Sequence, residues 1–109
     1  MGAERRTERR VKVNRRATLI AGDKASPCLI EDFSSKGFFV ISNYEFSVGQ
    51  ILELKCELYP KKTLQCKIEI RHIKETCLGT MIVEIGKDGN ALLQQFLQEY
   101  YSLKLNKST

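Results

Sequence analysis

This sequence predicts a mainly β fold, a six-stranded antiparallel β-barrel closed by a C-terminal α-helix. Three observations carry the prediction. Apolar and polar residues alternate along much of the stretch from Val11 to about Glu84, the two-residue period of half-buried strands. Turn-forming residues punctuate that stretch at short intervals. Beyond Gly86 the apolar spacing lengthens to that of a helix.

The first strand starts at Val11 and Val13 and runs through Arg15 and Arg16 to Ile20. Ala21-Gly22-Asp23 is read as a turn, because Gly and Asp tolerate positive φ. A second strand spans about residues 27–33, and Gly37 opens a third, Phe38 to Ile41. Leu52, Leu54, Cys56 and Leu58 then alternate with Glu53, Lys55 and Glu57, the pattern of a strand with one wet face. Tyr59-Pro60-Lys61-Lys62 reverses the chain into residues 64–73, and the sixth strand covers residues 79–85. Asp88 is expected to cap the helix, whose stripe is Leu93, Phe96, Leu97 and Tyr100. That stripe fits a helix laid over the open side of a small barrel, with residues 106–109 frayed.

A chain of 109 residues suits one domain, and its 42% hydrophobic and 28% charged residues are ordinary for a globular protein. No apolar run is long enough to be a signal sequence or to span a bilayer, so the expected location is cytoplasmic. The charge is distributed unevenly. Residues 1–16 hold seven of the 18 basic side chains and two of the 13 acidic ones, and so carry the whole net charge of +5. The remainder balances eleven against eleven. Residues 1–10 thus read as a flexible basic arm that awaits an anionic partner, and residues 11–105 as the barrel domain.

Cys28, Cys56, Cys66 and Cys77 are widely spaced with no CxxC pair, which points to reduced structural thiols, not a metal site or a disulfide. His72, the only histidine, continues the apolar parity of Leu64, Cys66, Ile68 and Ile70 and is expected in the core or at a barrel end. The chain has no nucleophile–base signature, metal-ligand cluster or phosphate-cradling glycine loop. It is therefore expected not to be an enzyme and to need no cofactor.

Two short motifs remain. Arg6 and Arg10 form an Arg-x-x-x-Arg pair, preceded by Arg5, ahead of the first strand; Arg5 and Arg9 share the spacing. Asp32-Phe33-Ser34-Ser35-Lys36-Gly37 reads Asp-x-Ser-x-x-Gly between the second and third strands. In this order, ahead of this strand succession, they resemble the PilZ domain family, over nearly the whole chain from Arg5 to Tyr101. The resemblance implies a six-stranded barrel that binds the bacterial second messenger cyclic di-GMP. It assigns ligand contacts to Arg5, Arg6, Arg10, Asp32, Ser34 and Gly37, with Arg9, Ser35 and Lys36 as lesser candidates.

The chemistry of these side chains agrees with that assignment. The ligand carries two phosphates and two guanines. Guanidinium groups pair with phosphate oxygens through two parallel bonds, stack on purines, or donate to guanine O6 and N7. Asp32 is suited to accept from the guanine N1–H and amine, Ser34 to donate or accept, and Gly37 to let the backbone approach closely. The local alternative is a turn in which Asp32 and Ser34 bond neighbouring amides. Two other functions compete: a barrel that works only through protein contacts, and a basic-armed nucleic-acid binder. The intact motifs argue against the first. Against the second stand the charge balance beyond residue 16 and the absence of Trp. With no second domain in the sequence, the expected output runs through a downstream protein partner of unknown identity.

Overall fold

The computed structural model describes residues 10–107, with side chains through Tyr100, and the alternating stretches become six strands. They are β1 (Val11–Ala21), β2 (Lys24–Phe33), β3 (Phe38–Ile41), β4 (Ile51–Tyr59), β5 (Lys62–Lys74) and β6 (Cys77–Ile85). All pair antiparallel and close in the order β1-β2-β3-β6-β5-β4. Among the described residues each strand has a partner on both sides, the β1–β4 seam being the shortest-paired of the long strands, at Thr18–Ile20. β2, β5 and β6 each start a few residues before their sequence-predicted positions, because ladder bonding continues into the turns.

The alternation in β4 and β5 is borne out directly. Leu52, Leu54, Cys56 and Leu58 point inward, as do Leu64, Cys66, Ile68 and Ile70, and all are buried. The thiols of Cys28, Cys56 and Cys66 are buried among them and all four cysteines are free. Burial pushes the Cys28 and Cys66 thiols up to about 12 and the Cys56 thiol up to about 11, so they stay protonated.

The helix, α1 (Lys87–Lys107), corrects the expected boundaries. Its first internal bond runs from the Asn90 N–H to the Gly86 carbonyl, which makes Gly86 the cap. Asp88 lies inside the first turn, where its carboxylate faces the positive end of the helix dipole. Asn106 is helical and not frayed, while residues 108 and 109 lie outside the described range. The predicted stripe does close the barrel: Leu93 and Phe96 are buried, and Leu97 and Tyr100 are half-buried against the core.

Phe96 is the stopper. Its ring sits 5.1 Å from Phe33, 6.0 Å from Tyr59 and 5.6 Å from Tyr100, with the Arg15 guanidinium 5.2 Å over its centre. Arg15 also donates to the Glu57 carbonyl at 3.1 Å, so its charge is anchored by backbone as well as by the ring. Phe33 in turn packs edge-on against Phe38 at 5.1 Å. Both ends of the β2–β3 loop are thereby anchored in the core.

A cationic cleft on the outer face

Plain alternation along β2 would bury Asp32. Cys28 and Ile30 face the core, and Asp32 is next in that series. Pairing with β3 breaks the series, because Ile30 pairs with Val40 and Asp32 with Phe39, so that Glu31 is an extra residue. Such a bulge reverses which face the following side chains take. Phe33 accordingly turns into the core and Asp32 turns outward, where Lys12 is its cross-strand neighbour on β1.

At that position Asp32 meets the arm. Arg10 Nη2 lies 3.3 Å from Asp32 Oδ1, with the arginine side chain 43% exposed and the carboxylate 16% exposed. The pair flanks an open cleft of about 310 Å³ lined by Arg10, Lys36, Phe39, Arg71, His72 and Gly79, among others. Three cations and no carboxylate line it, so among the described residues it offers a positive field to a ligand.

The Asp-x-Ser-x-x-Gly loop holds one wall of this cleft through its own hydrogen bonds. Ser34 is fully buried. Its hydroxyl donates to the Gly37 carbonyl at 3.1 Å and accepts from the N–H groups of Gly37 at 3.0 Å and Lys36 at 3.2 Å. The loop itself thus uses both the donor and the acceptor capacity of Ser34, the local turn that the sequence offered as the alternative. Gly37 is constrained by β6: a Cβ there would overlap the Thr80 carbonyl oxygen and come within 3.0 Å of Met81 Cα. Glycine at this position therefore lets the loop lie close against β6. Thr80 reinforces the join, its hydroxyl donating to the Phe38 carbonyl at 2.9 Å and accepting from the Phe38 N–H at 3.3 Å.

Of the sequence-predicted site residues, the fold brings Arg10, Asp32, Lys36 and Gly37 together. Ser35 is exposed on the loop and does not line the cleft. Arg5, Arg6 and Arg9 lie outside the described residues. His72 is not in the core: it is exposed near the end of β5 and lines the cleft. Ile70 pairs with Thr80 and His72 with Gly79, so Arg71 is an extra residue in β5 and the inward series ends at Ile70. Sequence reasoning also passed over Arg71 and Phe39. The one available signal was a polar Arg-His doublet following four inward apolar positions. Among the described residues no group of three His, Cys, Asp or Glu side chains is placed to hold a metal ion. No helix there is long and apolar enough to cross a membrane.

Closure of six antiparallel strands around one apolar core, with a positive cleft on the outer wall, defines a small closed β-barrel domain. The chain belongs to the PilZ domain family, whose model matches residues 4–99. Similar folds occur in several solved structures. The Bacillus subtilis inhibitor of motility MotI/DgrA is 21% identical with a TM-score of 0.74, over 94% of this chain and 52% of that one. The PilZ domain of CeSA from a cellulose-synthesizing bacterium is 12% identical at a TM-score of 0.65, over 88% and 98%. PlzA from Borreliella burgdorferi, solved in complex with c-di-GMP, is 17% identical at 0.62, over 81% and 39%. The chain thus spans about half the length of MotI. No curated protein sequence matches it.

Proposed function

We propose that this chain is a receptor for cyclic di-GMP and that the ligand occupies the cleft beside the Arg10–Asp32 pair. The observation that carries the reading is the 3.3 Å contact between these residues, one from each motif, at the edge of a cleft also lined by Lys36 and Arg71. Membership of the PilZ family and the c-di-GMP complex of PlzA support it. In this reading Arg10 turns from Asp32 to a phosphate, and Asp32 accepts from the guanine N1–H and amine. Ser34 acts indirectly, by holding the loop that carries Lys36 and follows Asp32.

The arm residues Arg5, Arg6 and Arg9 join the ligand from the other side, and their ordering presents a composite surface to a downstream protein. The chain acts by binding, without catalysis or cofactor, in the cytoplasm. Part of the gross interaction energy goes into ordering the arm, roughly 1–2 kcal/mol per residue for backbone alone. Calorimetric titration tests the reading, with GTP and a linear dinucleotide as controls. Saturable binding of cyclic di-GMP alone is expected, and equal binding of all three would overturn it. Amide relaxation by NMR tests the relay, with order parameters expected to rise on binding at Arg6–Arg10 and to stay level at Leu52–Leu58.

A further inference from the structure

The far wall of the cleft is built by a second bulge, and neither motif includes it. Arg71 is the extra residue of β5, and both Arg71 and His72 are exposed and line the cleft. The bulge at Arg71 aims side chains into the cavity, and the bulge at Glu31 turns Asp32 outward beside Arg10 at its edge. Register connects them. Asp32 pairs with Phe39, Phe39 with Gly79 and Gly79 with His72, a continuous row of cross-strand neighbours over β2, β3, β6 and β5.

Within that row the His72 ring rests directly on Gly79. A Cβ on Gly79 would overlap the ring at Cε1 and Nε2 and come within 2.8 Å of Nδ1. Glycine is thus what lets the imidazole lie against the strand. The Phe39 ring stands beside it, 6.5 Å away centre to centre and tilted by 44°. Together they present two aromatic faces, angled to one another, in a cleft whose charged lining is Arg10, Lys36 and Arg71. At its margin the Arg71 guanidinium donates to Met81 Sδ at 2.8 Å, a weak thioether acceptor that a stronger one can displace.

We propose that His72 and Phe39 form a stacking shelf for one purine base of the dinucleotide, and that Arg71 reads that base as guanine. The inference rests on the receptor reading above and adds specificity residues to the same site. Guanine presents two acceptors, O6 and N7, to a guanidinium fork, whereas adenine presents an N6 amine where O6 would be. Arg71 therefore rewards guanine and leaves a donor facing a donor for adenine. The shelf is indifferent to base identity, because every purine has a π-face.

The test is titration of the full chain with cyclic di-GMP, cyclic di-AMP and the mixed guanine–adenine cyclic dinucleotide. His72→Ala is expected to weaken the guanine-containing ligands alike, by roughly tenfold, the range of base–aromatic stacking. Arg71→Ala is expected to weaken cyclic di-GMP by a similar factor and to bring it level with the mixed ligand. Both side chains are exposed, so unchanged thermal midpoints are expected, and circular dichroism checks that the variants fold. Native chain that binds cyclic di-GMP, with both variants matching it in affinity and preference, would overturn the shelf alone. Native chain that binds no cyclic dinucleotide would overturn the receptor reading and the shelf together.

Discussion

Arg10 and Asp32 lie 22 positions apart in sequence, yet the guanidinium of one meets the carboxylate of the other at 3.3 Å on the outer wall of the barrel. β1 and β2 create that meeting, through the pairing of Lys12 with Asp32. The contact joins the end of the arm to the edge of the cleft. The pair is part-buried, with the carboxylate 16% exposed, and in the proposed reading a phosphate takes the place of Asp32 beside Arg10 and a guanine edge that of Arg10 beside Asp32.

Arg10→Ala is expected to weaken cyclic di-GMP binding by about 2 kcal/mol, roughly thirtyfold in Kd, the loss of hydrogen bonds to a charged group. Arg10→Lys should recover only part of this, because an ammonium cannot make the two parallel bonds of a guanidinium. Calorimetry decides it, and unchanged affinity in the Arg6→Ala, Arg10→Ala double variant would rule out the arm as a ligand contact.

Asp32 and Ser34 should separate into two phenotypes despite sharing a motif. Asp32→Asn is expected to leave the thermal midpoint nearly level and to reduce the preference for guanine over adenine. Ser34→Ala strands the buried N–H of Gly37 and the part-buried N–H of Lys36, and is expected to cost about 1–3 kcal/mol of stability. Thermal melts beside dinucleotide titrations would show whether the two effects divide this way.

The helix is fastened by a pH-sensitive bond. The Tyr59 hydroxyl donates to Glu99 Oε1 at 2.7 Å. That bond holds the Glu99 carboxyl below its ordinary value, with Gln95 assisting. Its contribution is therefore present above the ordinary glutamate range and is lost as pH falls through the lowered value. Desolvation and the bond to Glu99 push the Tyr59 phenol up to about 12. That contribution is present below pH 10 and lost as pH rises from there toward 12. Melting curves from pH 3 to 8 should show a smaller acid-side loss in Glu99→Gln than in the native chain. Equal slopes would remove the bond from the account.

Thiol chemistry offers a separate check on the core. Cys28, Cys56 and Cys66 are buried and protonated at neutral pH, whereas Cys77 is only half-buried at the start of β6. Brief maleimide treatment of the native chain at pH 7.5 (roughly a unit below a free thiol's ordinary range) should label Cys77 first, with the other three following only on unfolding. Mass spectrometry of tryptic peptides reads the order, and early labelling of Cys56 would contradict the packing described.

Much of the architecture was legible along the chain. The alternation of Leu52–Leu58 and Leu64–Ile70 specifies which face of each strand is buried, because a strand's side chains must take opposite sides. The spacing of Leu93 and Phe96 likewise specifies one face of a helix, and the two motifs mark the segments that meet beside the cleft. The side of the barrel on which Asp32 and His72 emerge follows from neither pattern. Alternation assigns both to the interior, and two single-residue bulges, at Glu31 and Arg71, turn them outward. A bulge is a mismatch in count between two paired strands, so it exists only once the partner strand and its register are in place. The same holds for Ser34, whose hydroxyl could have faced a ligand until the loop closed around it. Periodicity is local and survives in the sequence. Register is a relation between strands, and only the closed barrel decides it.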